Sequence, residues 1–157
     1  MARGQSGALN LNVNGPLSNQ NLGLIHAATQ LTISSSGLNN QNGSLLVSAI
    51  ALDFGAATGD LYNQGGEISS AQSYALAGRT LDNSTGDLIS NGQLTLDADT
   101  LINQNCLLSG WQGLNVSGAS LNNCNTGTLC SRGDDVNVNL RGHCSTVSTA
   151  PWSASKP

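Results

Sequence analysis

The sequence predicts an all-β protein, a parallel β-helix of about six rungs of ~20 residues each. Three observations carry this. Two consecutive twenty-residue blocks from Leu81 to Ser120, LDNSTGDLISNGQLTLDADT and LINQNCLLSGWQGLNVSGAS, place Leu81 over Leu101, Leu88 over Leu108 and Leu94 over Leu114. Short apolar–polar alternations such as Leu94-Thr95-Leu96 and Leu114-Asn115-Val116 read as strands with one face inward. No window keeps apolar residues at helical spacing for more than one turn.

The same block extends in both directions. Leu61 opens a block with Asn63, Gly66, Ile68 and Leu76, in which Tyr74 takes the third apolar position. Leu38 opens one that carries Asn40, Gly43, Leu45, Leu52 and Phe54 and is three residues longer, which predicts a bulge or loop between residues 38 and 60. Leu17 opens one with Asn19, Leu24, Leu31 and Ile33 and one extra residue. Leu9, Leu11 and Val13 look like the end of an earlier block, so residues 1–16 read as a partial leading rung. Leu121 opens the last block, with Asn123, Gly127, Leu129, Val136, Val138 and Leu140. Three short strands per block are expected, with turns after the opening Asn and at Asn91-Gly92 or Ser109-Gly110.

One such rung cannot bury its own apolar side chains, whereas rungs stacked at ~4.8 Å fill a narrow interior with Leu, Ile and Val columns. The Asn two residues after each opening Leu (Asn19, Asn40, Asn63, Asn83, Asn103 and Asn123) is expected to form a structural ladder. Stacked amides hydrogen-bond from rung to rung, and Asn also tolerates the left-handed backbone of a sharp corner. Gly at offset five is expected to serve that corner at less steric cost. A leucine-rich-repeat horseshoe needs a different spacing.

Composition excludes several functions. Charged residues make up 9% of the chain and aromatics 3%, against roughly 25% charged in ordinary soluble domains. There are only five Lys and Arg, and no basic run, which argues against nucleic acid or an anionic membrane as partner. No apolar run approaches the ~18 residues of a membrane span. The opening MARGQSGALNLNVNG has no apolar segment and does not read as a secretory signal. Cys106, Cys124, Cys130 and Cys144 lack the tight pairing of a zinc site. They read as small residues substituted at loop positions, a Cys124–Cys130 bridge being the alternative in an oxidising compartment.

The block pattern L-x-N-x-x-G-x-[IL]-x-S-x-x-x-L-x-[LV] resembles the haemagglutinin repeats of filamentous-haemagglutinin-like exoproteins, over about residues 9 to 141. These are the large secreted partners of two-partner secretion, among them adhesins and the stalks of contact-dependent growth-inhibition toxins. The resemblance implies a right-handed β-helical stalk, secreted or on the cell surface, with repeats that are scaffold and need no cofactor. It also implies an outer-membrane transporter partner and a host or neighbouring-cell surface as target. Cys106 departs from the pattern, standing where other blocks have Gly.

The repeats are expected to occupy residues 17–141 and an irregular tail residues 142–157. One permitted set of codons for the tail, shifted by one base, reads ALLNSQHGALVSEQ, another block opening. A frameshift near Gly142 is therefore expected, and the chain reads as a fragment that starts mid-repeat. Neither end of the expected rod carries a polar cap, so end-to-end self-association is expected.

No catalytic, cofactor or metal site emerges. Arg132-Gly133-Asp134 spells an integrin-binding tripeptide at an expected turn, where Gly-Asp is also ordinary turn chemistry. His26 and His143 stand apart, without a supporting triad motif, and His26 is expected on an outer face. Asp97 and Asp99 share a strand face, but the calcium-binding nonapeptide is absent. Trp111 and Tyr74 offer aromatic rings for sugars, without the clustered carboxylates of a polysaccharide-cleaving site. The reading is a structural segment of a haemagglutinin-like exoprotein, not an enzyme. The alternatives are a polysaccharide-acting β-helix and a non-functional gene fragment.

Overall fold

A strand that is apolar at every second position buries that face only if another strand stacks directly above it. In the computed structural model the block period brings that strand back, and the chain coils into a parallel β-solenoid of about six turns. The structure describes residues 2–4, 7–47, 50–53 and 59–145. All strand pairs recorded among these residues are parallel.

The first face stacks β1 (Ala2–Gly4), β4 (Leu24–Ala27), β7 (Ser44–Val47), β10 (Glu67–Ser70), β12 (Asp87–Ser90), β14 (Leu107–Gly110) and β16 (Thr128–Ser131). A short second face holds β2 (Leu9–Asn12), β5 (Leu31–Ser34) and β8 (Ile50–Asp53). The third stacks β3 (Leu17–Ser18), β6 (Gly37–Asn39), β9 (Asp60–Tyr62), β11 (Tyr74–Asp82), β13 (Leu94–Ile102), β15 (Leu114–Asn122) and β17 (Val136–Leu140). There β18 (Cys144–Ser145) also pairs with β15.

Three separate strands per rung occur in the early blocks and again in the last, where β17 and β18 stay apart. Between Tyr74 and Asn122 the second and third fuse into nine-residue strands. Spacing does not explain the break between β5 and β6, since Leu31 and Leu38 stand seven apart just as Leu94 and Leu101 do within β13; only the interval from the end of β8 at Asp53 to the start of β9 at Asp60 is longer. The extra residues of the Leu38 block thus fall before β9, and residues 54–58, Phe54 among them, lie outside the described residues.

The opening leucines form one column: Leu17 pairs with Leu38, Leu38 with Leu61, and Leu61 with Leu81, Leu101 and Leu121 in turn. Leu38, Leu61, Leu81, Leu101 and Leu121 are buried. A second column runs Ile25, Leu45, Ile68, Leu88, Leu108 and Leu129. Full burial of such a side chain stabilises by about 1.5–3 kcal/mol, and these columns are the core.

Two assignments need correction. Ile25, not Leu24, faces inward in the Leu17 block, because the corner there contains an extra residue, Leu22, which lies 91% exposed. In the Leu38 block, Ile50 and Leu52 pair with Leu31 and Ile33, so the expected match of Leu52 and Phe54 is two residues out of register. The pairing also continues past residue 142. Cys144 stands opposite Leu121, the Leu121 amide donates to the His143 carbonyl at 3.0 Å, and the Asn123 amide donates to that of Ser145 at 2.8 Å. The rest of the expected tail, residues 146–157, lies outside the described residues.

Candidate functional site

Six asparagines, one per rung, point into the interior beside the leucine column. Asn40, Asn63, Asn83 and Asn103 have no exposed surface. An amide buried this deeply destabilises the fold unless all its polar atoms find partners. Each finds them in the rung above and at its own corner. Nδ2 of Asn19 donates to Oδ1 of Asn40, Asn40 to Asn63, Asn63 to Asn83, Asn83 to Asn103 and Asn103 to Asn123. The same nitrogen also reaches a backbone carbonyl of the rung above: Asn63 donates to Asp87 at 3.2 Å and to Gly66 of its own corner at 3.1 Å. A partial second rail lies outside this column, where Gln20 donates to Gln41, Gln41 to Gln64, and Gln64 to Asp82.

The left-handed corner is not at these asparagines. Positive φ falls two residues later, at Asn21, Asn42, Gly65, Thr85, Asn105 and Asn125, and again at Leu22 and Thr126 in the two rungs with a longer corner. Asn is the commonest residue there because it tolerates that backbone. The ladder asparagine therefore does one job, and its neighbour Asn or Gly does the other.

Glycine at offset five also has a different reason from the expected one. None of Gly43, Gly66 and Gly86 is among the residues of positive φ. A Cβ on any of them would fall inside 3 Å of the carbonyl oxygen of the ladder asparagine one rung below. Close approach of backbone to backbone, not a strained φ, demands glycine here.

Cys106 occupies that offset and carries a Cβ. Its thiol donates to Asn103 Oδ1 at 2.8 Å, the oxygen that also accepts from Asn83. The Leu107 amide reaches the Gly86 carbonyl at 3.3 Å, whereas the equivalent Asp87–Gly66 bond is 2.8 Å. Burial pushes the thiol up to about 12, away from its ordinary value. All four cysteines, Cys124 and Cys130 included, are free thiols.

Arg132, Gly133 and Asp134 lie exposed at the corner between β16 and β17. The Arg132 guanidinium stacks over the Trp111 ring, 4.7 Å from its centroid, and the Gly133 amide donates to the Trp111 carbonyl at 2.7 Å. The tripeptide is thus seated on the rung below. The separation of 111 and 132 by roughly one block period was the available sequence signal for this contact.

Other candidates remain dispersed. His26 lies on the outward side of β4 between buried Ile25 and Ala27. Asp97 accepts from the Ser117 hydroxyl at 3.0 Å, and Asp99 makes an exposed ion pair with Arg141 at 3.5 Å. Tyr74 cannot stack on a sugar: it is buried, its hydroxyl donates to the Ile68 carbonyl at 3.2 Å, and burial raises its pKa. Trp111 is 49% exposed. Among the described residues no three His, Cys, Asp or Glu gather where they would hold a metal ion.

A parallel solenoid whose buried polar groups satisfy one another from rung to rung is a repeat protein in class. This chain belongs to the haemagglutinin repeat family, whose family model matches residues 5–65 and 47–142. No curated protein and no solved structure matches the chain.

Proposed function

We propose that the chain is a non-catalytic structural segment of a secreted bacterial haemagglutinin- or adhesin-like exoprotein, serving as a stalk at the cell surface. The observation that carries this reading is the continuous asparagine column, because its hydrogen bonds run along the stacking direction and tie each rung to the next. The parent exoprotein is exported by an outer-membrane transporter partner and meets a host or neighbouring-cell surface, as in two-partner secretion and contact-dependent growth inhibition. Family membership supports this placement.

Small-angle X-ray scattering on the purified chain tests the stalk reading. Deleting residues 81–100, one complete rung, is expected to shorten the rod by about 4.8 Å while the parallel-sheet signal persists. Loss of the fold on this deletion would overturn it. Adhesion through Arg132-Gly133-Asp134 is tested by cell binding: binding that disappears in Asp134→Glu moves the role from spacer to adhesion scaffold. Release of unsaturated products from a polyuronate, abolished by Asp97→Asn, would instead establish the polysaccharide enzyme.

A further inference from the structure

The sequence contains three Asn-Gly pairs: Asn14-Gly15, Asn42-Gly43 and Asn91-Gly92. With no side chain on the second residue, its backbone nitrogen approaches the asparagine Cγ with little hindrance. Two conditions decide whether it attacks. The glycine N–H must be free to lose its proton, and the backbone must be free to rotate.

The solenoid withholds both conditions from two of the pairs. The Gly43 amide donates to the Asn40 carbonyl at 2.9 Å, while Asn42 donates to Gln64 at 3.0 Å and accepts from Leu22 at 2.7 Å. The Gly92 amide donates to the Ser90 hydroxyl at 3.1 Å, the Asn91 amide to Ser70 at 2.9 Å, and the Gly92 carbonyl accepts from Gln112 at 3.0 Å. Both pairs are pinned to the rungs above and below.

The Asn14-Gly15 pair differs. Asn14 is exposed at the corner between β2 and β3. The one hydrogen bond recorded for Gly15 is accepted by its carbonyl, from Ser36 at 3.2 Å, and its N–H has no partner among the described residues. Nothing lies within 4 Å of the place where a Gly15 Cβ would stand.

We infer that Asn14 is a site of spontaneous deamidation built into the first corner of the solenoid, and that the stacked rungs protect the same dipeptide at Asn42 and Asn91. Hydroxide removes the Gly15 amide proton, and the nitrogen forms a bond to Asn14 Cγ. The Cγ–Nδ2 bond breaks and ammonia leaves with a proton from solvent. Water then opens the resulting succinimide at either carbonyl, giving aspartate or isoaspartate at position 14. No oxidation or reduction occurs. The product carries a new negative charge, and its isoaspartyl form adds a backbone carbon to the corner that holds β3 against β6.

Peptide mapping after incubation of the folded chain in mildly alkaline buffer at physiological temperature tests this. Conversion at Asn14 is expected to run at least about tenfold faster than at Asn42 or Asn91, which react only through local opening. In concentrated urea the three rates are expected to converge. Gly15→Ala, at an open position, is expected to suppress conversion at Asn14 alone. Equal rates at the three sites in the folded chain, or an unchanged Asn14 rate in Gly15→Ala, would overturn the inference.

Discussion

Asn83 and Asn103 form the widest step of the amide column, with Nδ2 3.2 Å from Oδ1 where every other step measures 2.7 Å. The cause sits three residues past Asn103. Cys106 brings a Cβ to an offset where, at Gly43, Gly66 and Gly86, a Cβ would fall inside 3 Å of a backbone carbonyl oxygen, and its thiol shares the Asn103 oxygen. Placing the same Cβ in an undisturbed rung is expected to destabilise the fold. Gly66→Ala should cost about 1–3 kcal/mol in denaturant unfolding, as overpacking does. Cys106→Gly should stay within about 1 kcal/mol of the parent, because relief of the contact is opposed by glycine's freedom in the unfolded chain.

The column itself should respond to position. Asn63→Ala removes the acceptor for Asn40 and the donors to Asn83, Gly66 and Asp87 in a site without solvent. The expected loss is about 2–4 kcal/mol, the sum of unpaired groups and a small void. Asn63→Asp should be worse, since its oxygens face three acceptors. Asn19→Ala, at a slightly exposed position, should cost about 1 kcal/mol. Unfolding midpoints that are equal for Asn19→Ala and Asn63→Ala would contradict this gradient.

Thiol chemistry should separate the cysteines. Cys106 is buried and its pKa is pushed up to about 12, whereas Cys144 is exposed. In mildly alkaline buffer, alkylation followed by peptide mapping should modify Cys106 at least about a hundredfold more slowly than Cys144. The raised value also has a consequence for stability. Below the ordinary thiol range both folded and unfolded states keep the proton and nothing changes. As the pH rises from there towards 12, only the unfolded chain ionises readily, so stability falls. Cys106→Ala should remove this alkaline loss.

At the acid end, Asp60 is the group to watch. The Arg79 guanidinium donates to it and holds its carboxyl below the ordinary value of 3.8. A depressed folded pKa means that its contribution is present above about pH 4 and disappears as the pH falls through the folded value. Asp60→Asn should therefore flatten the acid limb of the stability profile below about pH 4, measured by denaturant midpoints, and leave its alkaline limb unchanged.

Much of this architecture was legible because the period is strict where it matters. Leu81 over Leu101 and Asn83 over Asn103 are read directly from two adjacent blocks, and stacking requires just those pairs to meet. The corners were harder. Asn at offset two and Asn at offset four look alike as letters, yet one is a buried amide and the other a left-handed turn residue. Leu24 and Ile25 are both apolar, so only the extra residue at Leu22 decides which points inward. The Arg132–Trp111 contact was readable in principle from the period, but a cation over a ring is chosen by rotamers, which a spacing does not contain.

The amide column is also directional. At each recorded step from Asn19 to Asn123 the nitrogen gives and the oxygen of the next rung receives. The rod consequently has a head and a tail at the level of chemistry, one end offering carbonyl oxygen and the other amide hydrogen. A rung already in place orients the incoming one and rejects its reversal.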